Sequence, residues 1–451
     1  MKLSEKFNEL FKSAYELGIE EIEVFVQTSE DFSVKIYEKE IDKYSLSEEF
    51  GISVRGKYNN KMGYAYSEKF EEDDIQLLVK SVQENALIID SEDEYEIYGG
   101  SEEYKEIETY NSSLDQVNQQ EKIDLAKELE LEIYRIDSRV KKVNYSLYGE
   151  GNGETILKNT KGLELKEKSN MAYLYASVII EDGDGSKTAS KHQINNDFSK
   201  FDYKKLAKDV VNEGVSKIGS KPVSTGSYEI ILRNDAMGDL FSTFLSNFSA
   251  ENVQKDLSAL KGKIGELIAS EKITLIDNPH MINGIASKAY DGEGVATKSK
   301  KIIENGVLKT YFHNLKTAKK DGIKTTGNAY KSSYKGTLGI APSNLYIQSG
   351  DLKLEEMISE VKNGLVITDL SGLHSGVNSL SGQFSLLAEG FYFENGDIVH
   401  PVNQITIAGN FYDLIKDIKI IGSDLEFGMP SGGSWIGTPS IAIGKLMVAG
   451  E

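Results

Sequence analysis

The side chains best suited to chemistry gather between Thr368 and Asn395, in TDLSGLHSGVNSLSGQFSLLAEGFYFEN. His374, Ser375, Asn378, Ser381 and Gln383 set one imidazole, two hydroxyls and two amides among Gly372, Gly376 and Gly382. Glycine at such positions permits positive φ or close approach of another chain. The pattern suits hydrogen bonding to a backbone-like ligand; the alternative is a glycine-rich turn series on a β surface. His374 is the first candidate for proton transfer or ligand contact, set against the plainer role of a hydrogen-bonding loop residue. A second polar loop, TTGNAY at 325–330, brings Thr326, Gly327 and Asn328 and suits peptide backbone or a helix cap. DGEG at 291–294 holds Asp291 and Glu293 between glycines, as a cation site or, more simply, a tight turn.

Other chemistries find little support. The five histidines, His192, His280, His313, His374 and His400, never fall three or four residues apart, so no two share a helix face in the manner of HExxH. With no cysteine in the chain, zinc would need ligands gathered from remote loops. No serine sits in a GxSxG elbow, and DGEGVATKSK only imitates a phosphate-binding loop. Disulfides and thiolate chemistry are excluded.

The chain has 451 residues, 39% of them hydrophobic, with 24 Tyr and 17 Phe. That is enough to bury a large interior in two or three domains. No apolar run reaches the roughly 18–20 residues of a membrane span, and the amphipathic start MKLSEKFNELFKSAYELG is not a signal peptide. A cytoplasmic location is the default expectation. A net charge of −20 argues against direct contact with nucleic acid. The acid concentrates at 68–108, read as a solvated helix start and an exposed loop. Lysines dominate between Lys298 and Lys335, as a solvated hairpin surface or a face for an acidic partner.

Stepping along the chain, helical spacing appears at 4–17, capped by Ser4, and again at 71–86, 119–136 and 201–218. Short alternating strands lie between, with Asn59-Asn60 as a hairpin turn. The pattern of helix, strand meander and helix occurs twice, with a loose shared rhythm. Glycine density rises near 220–226. Beyond it come a strand at 227–233, an apolar helix at 236–248, hairpins at Asn305-Gly306 and Asn395-Gly396, a helix ending at Gly364, and a closing strand SIAIGKLMVAG. The expected fold class is α+β. An N-terminal domain spans 1–220, with two similar halves at about 1–110 and 111–220. A β-rich antiparallel domain spans 221–451.

The loops of the C-terminal half, in order, resemble the TldD/PmbA family of metallopeptidase-related proteins, also labelled modulators of DNA gyrase. The match is carried by Asp291–Gly294, IENGVL at 303–308, TGNA at 326–329, Asn344-Leu345, SGQFS and EGF within 372–391, Glu394–Gly396, IGSD at 421–424 and LMVAG at 446–450. GISVRGKYNNKMGYAYS resembles the family's N-terminal hairpin. The resemblance spans nearly the whole chain. It implies an N-terminal α+β region and a β-rich domain equivalent to the family's peptidase domain. In the TldD-type member, zinc sits on an HExxxH helix with a cysteine from a late loop. Positions four apart share a helix face, and the glutamate of the motif is able to act as general base. Here the corresponding helix reads AMGDLFSTFLSNF, with Ser242 and Thr243 near the His-Glu positions and Ser246 or Asn247 near the second His. The late loop 426–438 has no cysteine.

The resemblance therefore implies the PmbA (TldE) type: no catalytic residue, metal or cofactor in this chain, and zinc in a TldD-type partner. The pair, a heterodimer (or a homodimer of this chain), degrades or matures small or unfolded peptides. Thr326, Gly327, Asn328, His374, Ser375, Asn378, Ser381 and Gln383 are the expected substrate or interface contacts. The competing reading is a self-contained homodimeric binding or regulatory protein with no peptidase role. An independent hydrolase using His374 ranks last, because no orienting third group is visible.

Overall fold

A computed structural model describes residues 2–90, 93, 95–183 and 185–451. Strands β1 (Glu21–Tyr37), β2 (Glu40–Tyr58), β3 (Lys61–Ser67), β4 (Val140–Asn159), β5 (Glu164–Asp182) and β6 (Gly185–Asn195) form one antiparallel sheet, in the order β3-β2-β1-β4-β5-β6. Side chains alternate between the faces of a strand, and β1 uses this along its whole length. Ile22, Val24 and Val26 pack into a core with the helices Leu3–Glu16 and Glu72–Ile88. Phe32, Val34 and Ile36, ten residues on with the same parity, enter a second core with the helices Gln119–Ile136 and Tyr203–Ser216. Each fully buried aliphatic side chain contributes about 1.5–3 kcal/mol, so one long strand anchors two helix pairs.

The C-terminal half begins with β7 (Gly226–Leu232), followed by a helix, Asn234–Phe244, that continues as a 3-10 turn to Phe248. Then come β8 (Leu275–Asp277), β9 (Lys300–Glu304), β10 (Val307–Leu308), β11 (Ala329–Lys331), β12 (Leu338–Ile340) and β13 (Asn344–Ile347). The chain finishes with β14 (Gly364–Ser371), β15 (Gln383–Glu394), β16 (Asp397–Asn410), β17 (Ile418–Ile421), β18 (Glu426–Phe427), β19 (Trp435–Thr438) and β20 (Ile441–Ala449). One sheet runs β16-β15-β14-β7-β20-β17, and a β16–β20 pairing closes its first five strands into a ring. A second runs β10-β9-β8-β13-β19-β18, and β11 pairs with β12 alone. The core between them is aliphatic and aromatic, with Phe244 stacked on Phe411 at 4.0 Å. The α+β class, rich in antiparallel strands, is thus the architecture observed.

Three turns form as their sequences require. Asn59-Asn60, Asn305-Gly306 and Asn395-Gly396 all have positive φ at both positions, the condition for a two-residue hairpin of the favoured twist. Other expectations need correction. The first helix is capped by Lys2 rather than Ser4, with the Glu5 carboxylate accepting the Lys2 N–H at 2.9 Å. The helix expected to end at Gly364 ends at Val361, with Lys362 at positive φ, and Gly364 already belongs to β14. The acidic stretch 68–108 is only partly solvated, Ser91, Glu92 and Glu94 lying outside the described residues. Ile97 is fully buried, and the Tyr104 hydroxyl donates to the Gly294 carbonyl at 2.8 Å. The segment straps the N-terminal sheet to the C-terminal half.

Candidate functional site: a cleft beside an open strand edge

Among the described residues no strand pairs with the outer side of β6. Instead, Ser186 to Lys191 form one wall of a cleft of about 530 Å³. The opposite wall comes from β14 and β15, through Thr368, Asp369, Leu387 and Glu389. An exposed edge carries unpaired N–H and C=O groups and is a template for another extended chain.

The base of the cleft is an ion-pair network. The Arg233 guanidinium donates to both Glu213 oxygens at 3.0 and 3.1 Å and to Asp235 Oδ1 at 2.8 Å. Lys191 on β6 lies 3.5 Å from Asp235, and Lys217 lies 3.5 Å from Glu389 on β15. Burial works against the charged form of Glu213, yet Arg233 and the two lysines hold its carboxyl below the usual range. Asp235 is lowered the same way, Arg233 outweighing burial. Two carboxyls stand apart from these pairs. Asp239 is pushed up to about 6 by desolvation and by the charges of Asp235 and Asp369. Asp369 is raised by desolvation and by its acidic neighbours, Glu389 foremost, against the pull of Lys217.

None of the eight residues singled out from the sequence lines this cleft. They fall into two groups. Asn328 is buried and donates to Asp277 Oδ2 at 2.9 Å and to the Ala341 carbonyl at 3.0 Å. Thr326 Oγ1 accepts from the His313 N–H at 2.7 Å and donates to Asn328 Oδ1 at 2.8 Å. Gly327 takes the positive φ between them. The other group forms the turn after β14, where His374 and Ser375 are exposed. Asn378 Oδ1 accepts from the Leu380 and Ser381 N–H groups, which shapes the turn. Gln383 opens β15, and the Ser379 carbonyl accepts from Asn247 at 3.0 Å. The sequence reading missed the cleft residues Arg233, Asp235, Glu213 and Lys191. The only local signal was a charged run, RND, at the end of an apolar strand.

Elsewhere, Asp291 and Glu293 build a tight turn. Asp291 accepts from the N–H groups of Glu293, Val295 and Ala329. The lysine-rich stretch 298–335 is extensively ion-paired, Lys300 to Asp277, Lys316 to Glu251 and Lys335 to Glu68. Among the described residues, no three His, Asp or Glu side chains are placed to hold a metal ion.

Models of the PmbA/TldA metallopeptidase match domain 1 at residues 22–86, the central domain at 112–218 and the C-terminal domain at 225–450. The chain belongs to the PmbA/TldD metallopeptidase family. An uncharacterized protein of Methanocaldococcus jannaschii is 31% identical, over 88% of this chain and 90% of its own. The metalloprotease PmbA of Escherichia coli is 28% identical, over 74% and 71%. Among solved structures, a putative modulator of DNA gyrase from Thermotoga maritima superposes with a TM-score of 0.91 and 33% identity, covering 99% of this chain and all of the other. TldE of Thermococcus kodakarensis shares the fold, with a TM-score of 0.90 at 23% identity, covering 99% of this chain and all of that one.

The zinc that the TldD-type resemblance implies does not fit the residues at its expected place. Ser242 and Thr243 spend their hydroxyls on the helix carbonyls of Gly238 and Leu240, both at 2.7 Å. Asn247 is committed to the backbone of Ser379 and of Ala259. No imidazole or thiolate stands on the helix.

Proposed function

We propose that this chain is the PmbA/TldE-type subunit of a two-chain zinc peptidase, with the metal supplied by a TldD-type partner. Its own task is to hold an extended peptide in the cleft. The observation that carries the reading is the open outer edge of β6 facing β14 and β15 across about 530 Å³. Main-chain hydrogen bonds to such an edge are indifferent to side-chain identity, which suits unfolded or small peptides of mixed sequence. The ion pairs at the base are mutually satisfied, and the charges that line the cleft outside them are those of Lys187 and Asp369.

Thr188 is an exposed cleft-lining residue on β6. Thr188→Trp fills the groove from the surface without entering the core. With a TldD-type chain co-expressed, the variant is expected to assemble and fold normally while peptide turnover falls at least tenfold. Undiminished turnover by the assembled variant would remove the cleft from the function. The homodimeric regulatory reading predicts instead that the TldD-type chain fails to co-purify.

A further inference from the structure

Strand β2 runs from Glu40 to Tyr58, but β3 pairs with it only over Ile52–Tyr58. Among the described residues no strand pairs with the outer side of its first half, at the far end of the sheet from β6. Residues Glu40–Phe50 are all exposed except for half-buried Ser45. At strand rise this open edge is about 35 Å long.

Its side chains are not those of a protected edge. Ile41, Tyr44, Leu46 and Phe50 are 44%, 45%, 56% and 36% exposed. They stand opposite Ile36, Val34, Phe32 and Thr28 of β1, on the face of the sheet that carries the second core. Phe32 and Tyr44 meet edge to face at 5.4 Å. The helices Gln119–Ile136 and Tyr203–Ser216 bury Phe32, Val34 and Ile36, yet that core takes in none of the β2 side chains. The apolar layer thus continues from β1 onto β2 while its cover does not. A long, apolar, unpaired edge is a template for another chain.

Charge selects the occupant. Along the edge Glu40, Asp42, Glu48 and Glu49 outnumber Lys43. Beside Phe50 the same face opens into a cleft of about 560 Å³ lined by Glu30, Glu48, Asp115 and Glu154, with Lys168 as the one basic lining residue. A second copy of this chain would set the same acid against the same edge, and like charges directly opposite destabilise a strand pair. A strand that carries Lys or Arg among apolar residues meets the edge, the apolar face and the acid together.

We propose that the open half of β2 docks an extended, basic, amphipathic segment of a different protein chain. The segment adds a strand to the sheet, lays apolar side chains beside Ile41, Tyr44 and Leu46, and turns lysine or arginine toward Glu30, Glu48 and Glu154. Main-chain hydrogen bonds supply the affinity and the side-chain pattern the selectivity. The proposal does not depend on the peptide cleft, which lies beside β6.

The test uses the full chain at physiological salt. A labelled peptide of alternating valine and lysine, as long as the open edge, is expected to bind about tenfold more tightly than its counterpart with glutamate for lysine. Glu48→Lys, which sets opposite charge against Glu30 across the strand pair, and Leu46→Ser are both expected to melt as the wild type does and to weaken binding severalfold. Methylating alternate backbone nitrogens of the peptide separates strand pairing from simple attraction. Of the two possible phases, one is expected to abolish binding and the other to spare it, because only one edge of an added strand faces β2. Binding that ignores peptide charge, survives both methylated phases or is unchanged by Glu48→Lys would overturn the proposal. So would a homodimer in sedimentation that Leu46→Ser dissociates, since that assigns the edge to a second copy.

Discussion

Replacing Asn328 with alanine separates two roles that the sequence left open. Its amide nitrogen donates to the Asp277 carboxylate, which is fully buried, and to the Ala341 carbonyl. Asp277 is also held by Lys300 at 2.8 Å and by the N–H of Ser343 at 2.8 Å. Burial works against the Asp277 charge, but Lys300, Ser343 and Asn328 together keep its carboxyl below the usual range. A hydrogen bond to a charged group contributes about 1.5–3 kcal/mol, and one to a neutral carbonyl about 1 kcal/mol. Asn328→Ala should therefore cost about 2.5–4 kcal/mol, lowering the Tm of a cooperative unit of about 200 residues by roughly 5–16 °C. Asn328→Asp should cost more at neutral pH, since it sets a second carboxylate against Asp277. Because the Asp277 carboxyl is lowered on folding, its stabilisation is present above its unfolded value and is lost as pH falls through the folded one. The alanine variant, holding that charge less well, should acid-unfold at higher pH. Calorimetry and circular dichroism against pH read both effects. A variant that melts with the wild type but no longer supports peptide turnover would refute the structural assignment and make Asn328 a substrate contact.

Three further outcomes are expected. His374→Ala should leave thermal stability within about 0.5 kcal/mol of wild type, as for exposed surface positions, whereas Asn378→Ala loses a turn cap at about 0.5–2 kcal/mol; if His374 touches substrate, turnover by the assembled pair falls without a change in melting. Glu293 is pushed up to about 7 by burial and Asp291, against the pull of Arg55. Stability contributed by its protonated form is complete below the unfolded value near 4.5 and is lost as pH rises through about 7. Glu293→Gln should flatten the decline in melting temperature between pH 5 and 8, and an unaltered profile would show that the carboxyl does not titrate there.

What was legible in the sequence was local. Asn-Gly and Asn-Asn turns announce themselves because few other residue pairs accept two successive positive φ values. The helix 119–136 was read to the residue, its periodic apolar face following Asn118, whose side chain accepts from the Glu121 N–H. The site was not legible, because it is assembled from distant segments. Lys191 meets Asp235, and Lys217 meets Glu389, across 44 and 172 positions of sequence. Charge runs misled for the same reason. The lysines after 298 look free when each is considered beside its chain neighbours, yet Lys300 and Lys335 pair with Asp277 and Glu68. The polar loops at 326–328 and 374–383 are conspicuous by composition. Their polarity is spent largely on their own backbone and buried partners, which no local pattern distinguishes from polarity offered to a ligand.

The contacts between the N-terminal and C-terminal halves of the chain include those that border the cleft. They include charged and polar contacts alongside apolar packing: Arg55 to Glu293, Tyr104 to Gly294, Lys217 to Glu389, Lys191 to Asp235. Ion pairs such as these add little net stability, the exposed ones because solvent screens them and the buried Arg55–Glu293 pair because desolvation offsets much of its attraction. They are directional, however, and a lost partner is costly. Such contacts fix the spacing of β6 from β14 and β15 more sharply than a smooth hydrophobic seam would. In the proposed peptide-holding role, an added chain would pair with the β6 edge at the usual strand spacing of about 4.7–4.9 Å, while β14 and β15, already paired on both sides, only wall the space beyond it.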